Sequence, residues 1–239
     1  MKKIFNAQSL MWFIFLSFAG SIAFTIVRII LAPSVAPSSE STIRVKSDYV
    51  LMLVQCFLGL LAMLIPGMLR RMIRLDIPSV MIIAYAVFLY CAIYLGEVRD
   101  FYHTIPYWDT ILHTFSGAAL GALGFSLVSI LNKSDLVVFS LSPVFMALFA
   151  FGFAVSLGVL WEIYEYSVDA LLKTNAQKYA LKSGQLLVGQ AALSDTMKDL
   201  IVDAIGALTM AVIGFISMKY KKGWLHRFQL THVNEKTDT

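Results

Sequence analysis

Six stretches of roughly twenty apolar residues, at about 10–32, 49–69, 78–97, 108–131, 141–166 and 194–218, dominate the chain. A bilayer core about 30 Å thick needs roughly 20 such residues to be crossed by a helix. Lipid offers no partner to backbone N–H and C=O groups, so a segment in it must satisfy them within its own helix. The 239 residues are 59% apolar and 14% charged, with a mean hydropathy of +0.76. So little charge cannot coat a water-exposed surface, and a soluble globular fold is excluded. The expected fold is all-α: a polytopic membrane helix bundle of about six transmembrane helices, forming one integral membrane domain over residues 1–239. No remaining stretch is long enough for a separate soluble domain, and the connector 32–48 is rich in Pro and Ser. The first apolar run is longer than a signal-peptide core, which favours a retained signal-anchor helix.

The formal charge of +4 does not point to nucleic acid, because basic residues in such a chain mark cytoplasmic loops. With six spans both termini share one side. That side carries eleven bases: Lys2, Lys3, Arg70, Arg71, Arg74, Lys133, Lys219, Lys221, Lys222, Arg227 and Lys236. The other carries six: Arg44, Lys46, Arg99, Lys173, Lys178 and Lys182. Both termini are therefore expected in the cytoplasm. Cys56 and Cys91 fall inside apolar runs and read as buried, reduced thiols.

Ionisable residues inside a span are costly and mark functional sites by default. Here they form stripes. Asp109 and His113 are four apart at the start of the fourth span, on a face continued by Gly117, Gly121 and Gly124. Glu162, Glu165 and Asp169 share a face with Ala154 and Gly158 at the end of the fifth, and Asp195, Asp199 and Asp203 share one with Gly206 in the sixth. The topology puts all three acidic ends on one side, so they are expected to converge near the outer leaflet. At 1.5 Å per residue, Asp203 would lie roughly 13 Å below Ser194 and His113 roughly 8 Å below Trp108.

Each residue also has a plainer reading. Asp109 and Asp195 stand near helix starts and could cap free N–H groups. Asp169 is expected in a solvated loop, as are Lys173, Lys178 and Lys182, and His113 alone would be a hydrogen-bonded core residue. Arg28, Arg99 or Lys198 could pair with some of the acids. Four carboxylates, Glu162, Glu165, Asp199 and Asp203, still repel one another in a medium of low dielectric and require protons, a metal ion or a cationic ligand.

A histidine with carboxylates on adjoining helices is how metal sites are built inside helix bundles. Asp109, His113, Glu162, Glu165, Asp199 and Asp203 are the expected ligands. Mixed nitrogen and oxygen donors suit Zn, Mn or Fe, and an all-oxygen subset suits Mg or Ca. The chain has no His-Glu-x-x-His or Cys-x-x-Cys pair, no glycine-rich phosphate loop and no Gly-x-Ser-x-Gly elbow. Arg28, Tyr102, His103 and Trp161 are the expected substrate contacts, with Tyr102 and His103 in a short connector that would roof the site.

Three segments carry a family resemblance: Tyr-Trp-Asp-Thr-Ile-Leu-His-Thr-Phe-Ser-Gly at 107–117, Leu-Trp-Glu-Ile-Tyr-Glu-Tyr at 160–166, and Asp-Thr-Met-Lys-Asp-Leu-Ile-Val-Asp-Ala-Ile-Gly-Ala at 195–207. In them the chain resembles the YjdF-like group of bacterial inner-membrane proteins, over about residues 100–215. The order of an Asp-x-x-x-His helix, a Glu helix and an Asp helix is also similar, more distantly, to the VanZ-like membrane proteins. The resemblance implies a multi-pass protein of the bacterial plasma membrane whose mark is this acidic and histidine cluster. It supplies no reaction or substrate, and Ser194 stands where some relatives have Trp.

The sequence thus supports a polar site that binds a divalent cation or a cationic or lipid-derived ligand. An enzymatic version is metal-assisted hydrolysis or transfer on an envelope lipid, with His113, Glu162 and Asp199 as catalytic groups. The metal would polarise a phosphoryl or acyl oxygen and activate water. Two other readings stand beside it. One is cation- or proton-coupled transport, for which a homodimer would supply further helices. The other is an accessory protein whose charges only hold helices together. Membrane lipids are the expected partners, and nucleic acid is not.

Overall fold

A computed structural model describes residues 7–35, 43–72, 74–133, 140–181, 183–224, 228 and 230–232. Of the bases counted for orientation, Lys2, Lys3, Lys182, Arg227 and Lys236 lie outside the described residues, as do the side chain of Lys133 and part of the Pro- and Ser-rich connector. The chain is almost wholly helical, in the order α1 Ala7–Leu31, α2 Lys46–Ala62, α3 Ile65–Met72, α4 Ser79–Leu89 continued by a π-helical segment Tyr90–Val98, α5 Phe101–Thr104, α6 Trp108–Lys133, α7 Pro143–Leu172 and α8 Gln190–Lys219. Among the described residues, six helical stretches are long and apolar enough to cross a membrane, with α2 and α3 together making one. Large apolar side chains such as Leu16, Leu148 and Ile163 lie on their outer faces, as expected where lipid is the solvent.

The break between α2 and α3 follows from one residue. Pro66 has no N–H to give to the carbonyl of Ala62, four residues back. The Tyr85 hydroxyl donates to that carbonyl at 2.9 Å instead, so no bare acceptor faces the apolar interior. At the start of α7, the Ser142 side chain accepts from the Phe145 N–H at 3.2 Å with Pro143 in the first turn.

Two separate apolar cores divide the bundle into halves. Ile14, Phe18, Met52, Cys56, Leu89 and Ile93 close the first, among α1, α2, α4 and the π-helical segment. Phe125, Val128, Met146, Ala150 and Ala211 close the second, among α6, α7 and α8. Both cysteines are free thiols, Cys56 fully buried and Cys91 partly so. At one end of the bundle Leu75–Asp76 (β1), between α3 and α4, pairs antiparallel with Thr231–His232 (β2), beyond α8. Just before β2, the Leu230 N–H donates to the Ser126 hydroxyl on α6 at 2.6 Å.

Within the second half, α6 and α8 meet backbone to backbone. A Cβ on Gly117 would run into the Asp203 carbonyl oxygen, and a Cβ on Gly206 into that of Thr114. Small residues at this spacing are what let membrane helices approach so closely. Gly117→Ala or Gly206→Ala should therefore force α6 and α8 apart at a cost of about 1–3 kcal/mol. A fall in the thermal unfolding midpoint of detergent-purified protein is the expected result, and a Gly20→Ala control, where nothing lies within 4 Å, should leave the midpoint in place.

Candidate functional site

The contact of α6 with α8 sets His113 among three carboxylates. Its Nδ1 is 3.2 Å from Asp203 Oδ2, and its Nε2 is 3.6 Å from Asp109 Oδ1 and 3.9 Å from Asp199 Oδ2. The other Asp203 oxygen accepts from the Ser116 hydroxyl at 2.8 Å. In the tautomer with its proton on Nδ1, His113 donates to Asp203 and turns the Nε2 lone pair toward Asp109 and Asp199. One donor atom from each of Asp109, His113 and Asp199 lies within 4.8 Å of the others. This is the arrangement by which a carboxylate behind a histidine orients it toward a metal. Asp203 occupies the orienting position, on the opposite ring nitrogen from the two acids.

α7 brings Glu162 to the same cluster. It is 5% exposed, and neither carboxylate oxygen has a hydrogen-bond partner of ordinary geometry among the described residues. The Thr196 hydroxyl lies nearby without completing such a bond, and His113, Asp195 and Asp109 are its charged neighbours. α7 can come so near because Gly158 has no side chain: a Cβ there would stand 2.7 Å from Asp203 Oδ2. Glu165, one turn further on, is engaged elsewhere, accepting from Trp161 Nε1 at 3.0 Å.

The segment after α7 departs from the sequence reading. α7 runs on to Leu172, so Asp169 is helical and 5% exposed, not solvated. Its carboxylate accepts from the Thr174 hydroxyl at 2.6 Å and from the N–H groups of Ala176 and Gln177 at 2.7 and 2.9 Å. That anchor folds the loop back over the bundle end and delivers Lys178 into the cluster. The Lys178 ammonium bonds Asp109, and reaches the Asp195 oxygens at 3.0 and 3.1 Å. Burial disfavours its charge, but Asp109 and Asp195 outweigh that and hold the ammonium above the ordinary lysine range. α8 begins at Gln190, a turn earlier than the acid stripe suggested, so Asp195 lies inside the helix as a partner of Lys178 and is not a cap.

Beside the cluster is a cavity of about 300 Å³ that Asp109, Tyr102, His103 and Trp161 help to line. Burial, with the charges of Asp109, Glu97 and Glu165, holds the Tyr102 phenol well above its usual range. His103 pairs with Asp100 at 2.8 Å. Arg28 does not line this cavity; its Nε donates to the Tyr49 hydroxyl at 3.0 Å and its guanidinium stands over that ring. Sequence reasoning missed Lys178 and Ser116 at the cluster, and Glu97 and Gln55 at the cavity. Only Glu97 had a readable signal, an acid closing the third span at the same end of the bundle.

Asp169→Ala removes three hydrogen bonds from the loop at once. Trypsin cleavage after Lys173 or Lys178 in detergent-solubilised protein is expected to speed up about tenfold, the effect of roughly 1.4 kcal/mol lost from local stability.

No solved structure matches the chain. A relative from Thermotoga maritima, described as an uncharacterized protein, is 29% identical over 189 residues, covering 78% of this chain and 86% of the relative. These comparisons lend no support to the resemblance to VanZ-like proteins. The family described as "Predicted membrane protein (DUF2238)" matches residues 19–220, a stretch that takes in all but the first turns of the helical bundle and the whole polar cluster. The chain belongs to that family of membrane proteins.

Proposed function

We propose that this protein binds a divalent cation at Asp109, His113 and Asp199, with Glu162 as the additional carboxylate. The observation that carries the reading is Glu162: a carboxylate 5% exposed, with neither oxygen in a hydrogen bond of ordinary geometry among the described residues, set beside three converging donor atoms. A buried acid in that state needs a proton or a cation. Lys178 pairs with Asp195 and with one oxygen of Asp109, which leaves the other Asp109 oxygen, Asp199, Glu162 and the Nε2 of His113 to face an ion. One nitrogen and several oxygen donors suit Zn, Mn or Fe.

In this reading the protein is YjdF-like and sits in the bacterial inner membrane with both termini cytoplasmic, so the cluster faces the extracytoplasmic leaflet. The excess of bases on the terminal side supports that orientation. A metal held there would activate water for attack on a phosphoryl or acyl group of an envelope lipid.

Metal analysis of the purified protein, with thermal shifts on adding Zn, Mn or Mg, tests the proposal. Saturation at a hundredfold over Kd should add about 2.7 kcal/mol of stability. The gain should vanish in His113→Ala and Glu162→Gln, and should shrink as pH falls because histidine and carboxylate ligands must shed protons to bind. Absence of stoichiometric metal, with no shift from any of the three ions, would leave a histidinium held among carboxylates as the better account.

A further inference from the structure

The cavity of about 300 Å³ is walled by both halves of the bundle: the start of α2, the π-helical segment, α5, the end of α7 and the loop after it. Its size is at the lower end of the range for small-molecule sites, roughly 300–1,000 Å³. Most of its charges have partners. Arg44 donates to the carbonyls of Glu97 and Val98 at 2.9 and 3.1 Å and pairs with Asp100 at 3.4 Å. Asp48 accepts from the Val45 N–H at 2.8 Å, and Lys178 is engaged with Asp109 and Asp195.

Lys173 also lines the cavity, with its ammonium on the Ala170 carbonyl at 3.2 Å. Three of the other lining groups offer acceptors to the cavity. Among the described residues the Glu97 carboxylate makes no hydrogen bond or ion pair, and the only bond to the Glu165 carboxylate is the one its Oε1 accepts from Trp161. The third, Gln55, is an independent observation. It is 8% exposed, lines the cavity, and its amide makes no side-chain hydrogen bond among the described residues. A carboxamide in so enclosed a position normally has partners, and its amide here opens to the cavity instead, which acid repulsion does not account for. Two acids and an amide around an apolar floor of Leu51, Ala92 and Ile93 present acceptors in several directions, and among the described residues the lining cations Arg44, Lys173 and Lys178 form no ion pair with either acid.

We infer that this cavity is a second binding site, for a ligand carrying a primary ammonium group held by Glu97, Glu165 and the Gln55 carbonyl. An ammonium has three donors and no acceptor, which matches these groups in number and kind. Aromatic rings stand ready to take its charge: Trp161 lines the cavity, and the Tyr102 ring already has the Lys178 ammonium 5.5 Å from its centroid. The site stands whether or not the neighbouring cluster takes a metal. Because it lies at the ends of the spans, the ammonium can belong to an aminophospholipid headgroup or to a soluble amine.

Full-length protein in detergent would be titrated calorimetrically with ethanolamine and with putrescine. In a second arm, nanodiscs of phosphatidylethanolamine and of phosphatidylcholine would be compared for lipid retained through purification. Glu97→Gln and Gln55→Leu, each checked for unchanged helical circular dichroism and monodispersity, serve as two independent variants. Saturable amine binding, weakened at least about tenfold by either variant, establishes the site with a soluble ligand; tenfold corresponds to about 1.4 kcal/mol. Selective retention of phosphatidylethanolamine, lost in either variant, establishes it with a lipid one. No saturable binding in either arm, or binding equal in wild type and both variants, overturns the inference and leaves the acids neutralised by protons alone.

Discussion

The backbone contact between α6 and α8 governs the polar interior. Gly117 faces the carbonyl of Asp203, and Gly206 faces that of Thr114, so the two helices touch where side chains would otherwise hold them apart. His113 can reach Asp203 and Asp199 only because of that proximity, and Ser116 reaches Asp203 for the same reason. Gly158 extends the logic to α7, leaving room for the Asp203 carboxylate and letting Glu162 close the group. In lipid, where apolar burial does little to drive helices together, such packing and the polar contacts it permits carry much of the association.

Much of this was legible in the sequence because periodicity encodes it. The six spans are set by apolar runs, and the Asp109 and His113, Glu162, and Asp199 and Asp203 stripes follow from positions three or four apart on a helix. Topology alone then put the three acidic ends together. What stayed hidden depends on irregular backbone. Lys178 lies in a loop whose path is decided by three bonds to Asp169, and a basic loop residue carries no mark that distinguishes a solvated lysine from one returned to the interior. Glu97 sits in a π-helical segment, where a helical wheel of 3.6 residues per turn misplaces it. Gln55 is uncharged and lies within an apolar run, so no count of charges would raise it. The different position of Asp203, behind His113, rests on which ring nitrogen it meets, and spacing does not specify that.

The site and the cavity share Asp109 and Lys178 as a common wall. One carboxylate therefore looks both ways, with Oδ1 toward His113 and Oδ2 toward the lysine. Electrostatic changes on one side are felt on the other through this residue, since charges a few ångströms apart in a poorly solvated setting interact strongly.

The short pairing of β1 with β2 has a mechanical consequence. The two halves of the bundle are joined covalently at the site end, through the connector that contains α5. At the opposite end the tail beyond α8 crosses to the strand between α3 and α4, with the Leu230 N–H bonded to Ser126 of α6 on the way. Between these ends the halves also touch directly, with Trp108 Nε1 donating to the Cys91 carbonyl at 3.3 Å and the Phe88 ring stacked on Phe115, and the strand pairing closes the chain into a ring around those contacts. Its two sectors are tied at both ends, so the cavity between them cannot open without breaking one of those ties.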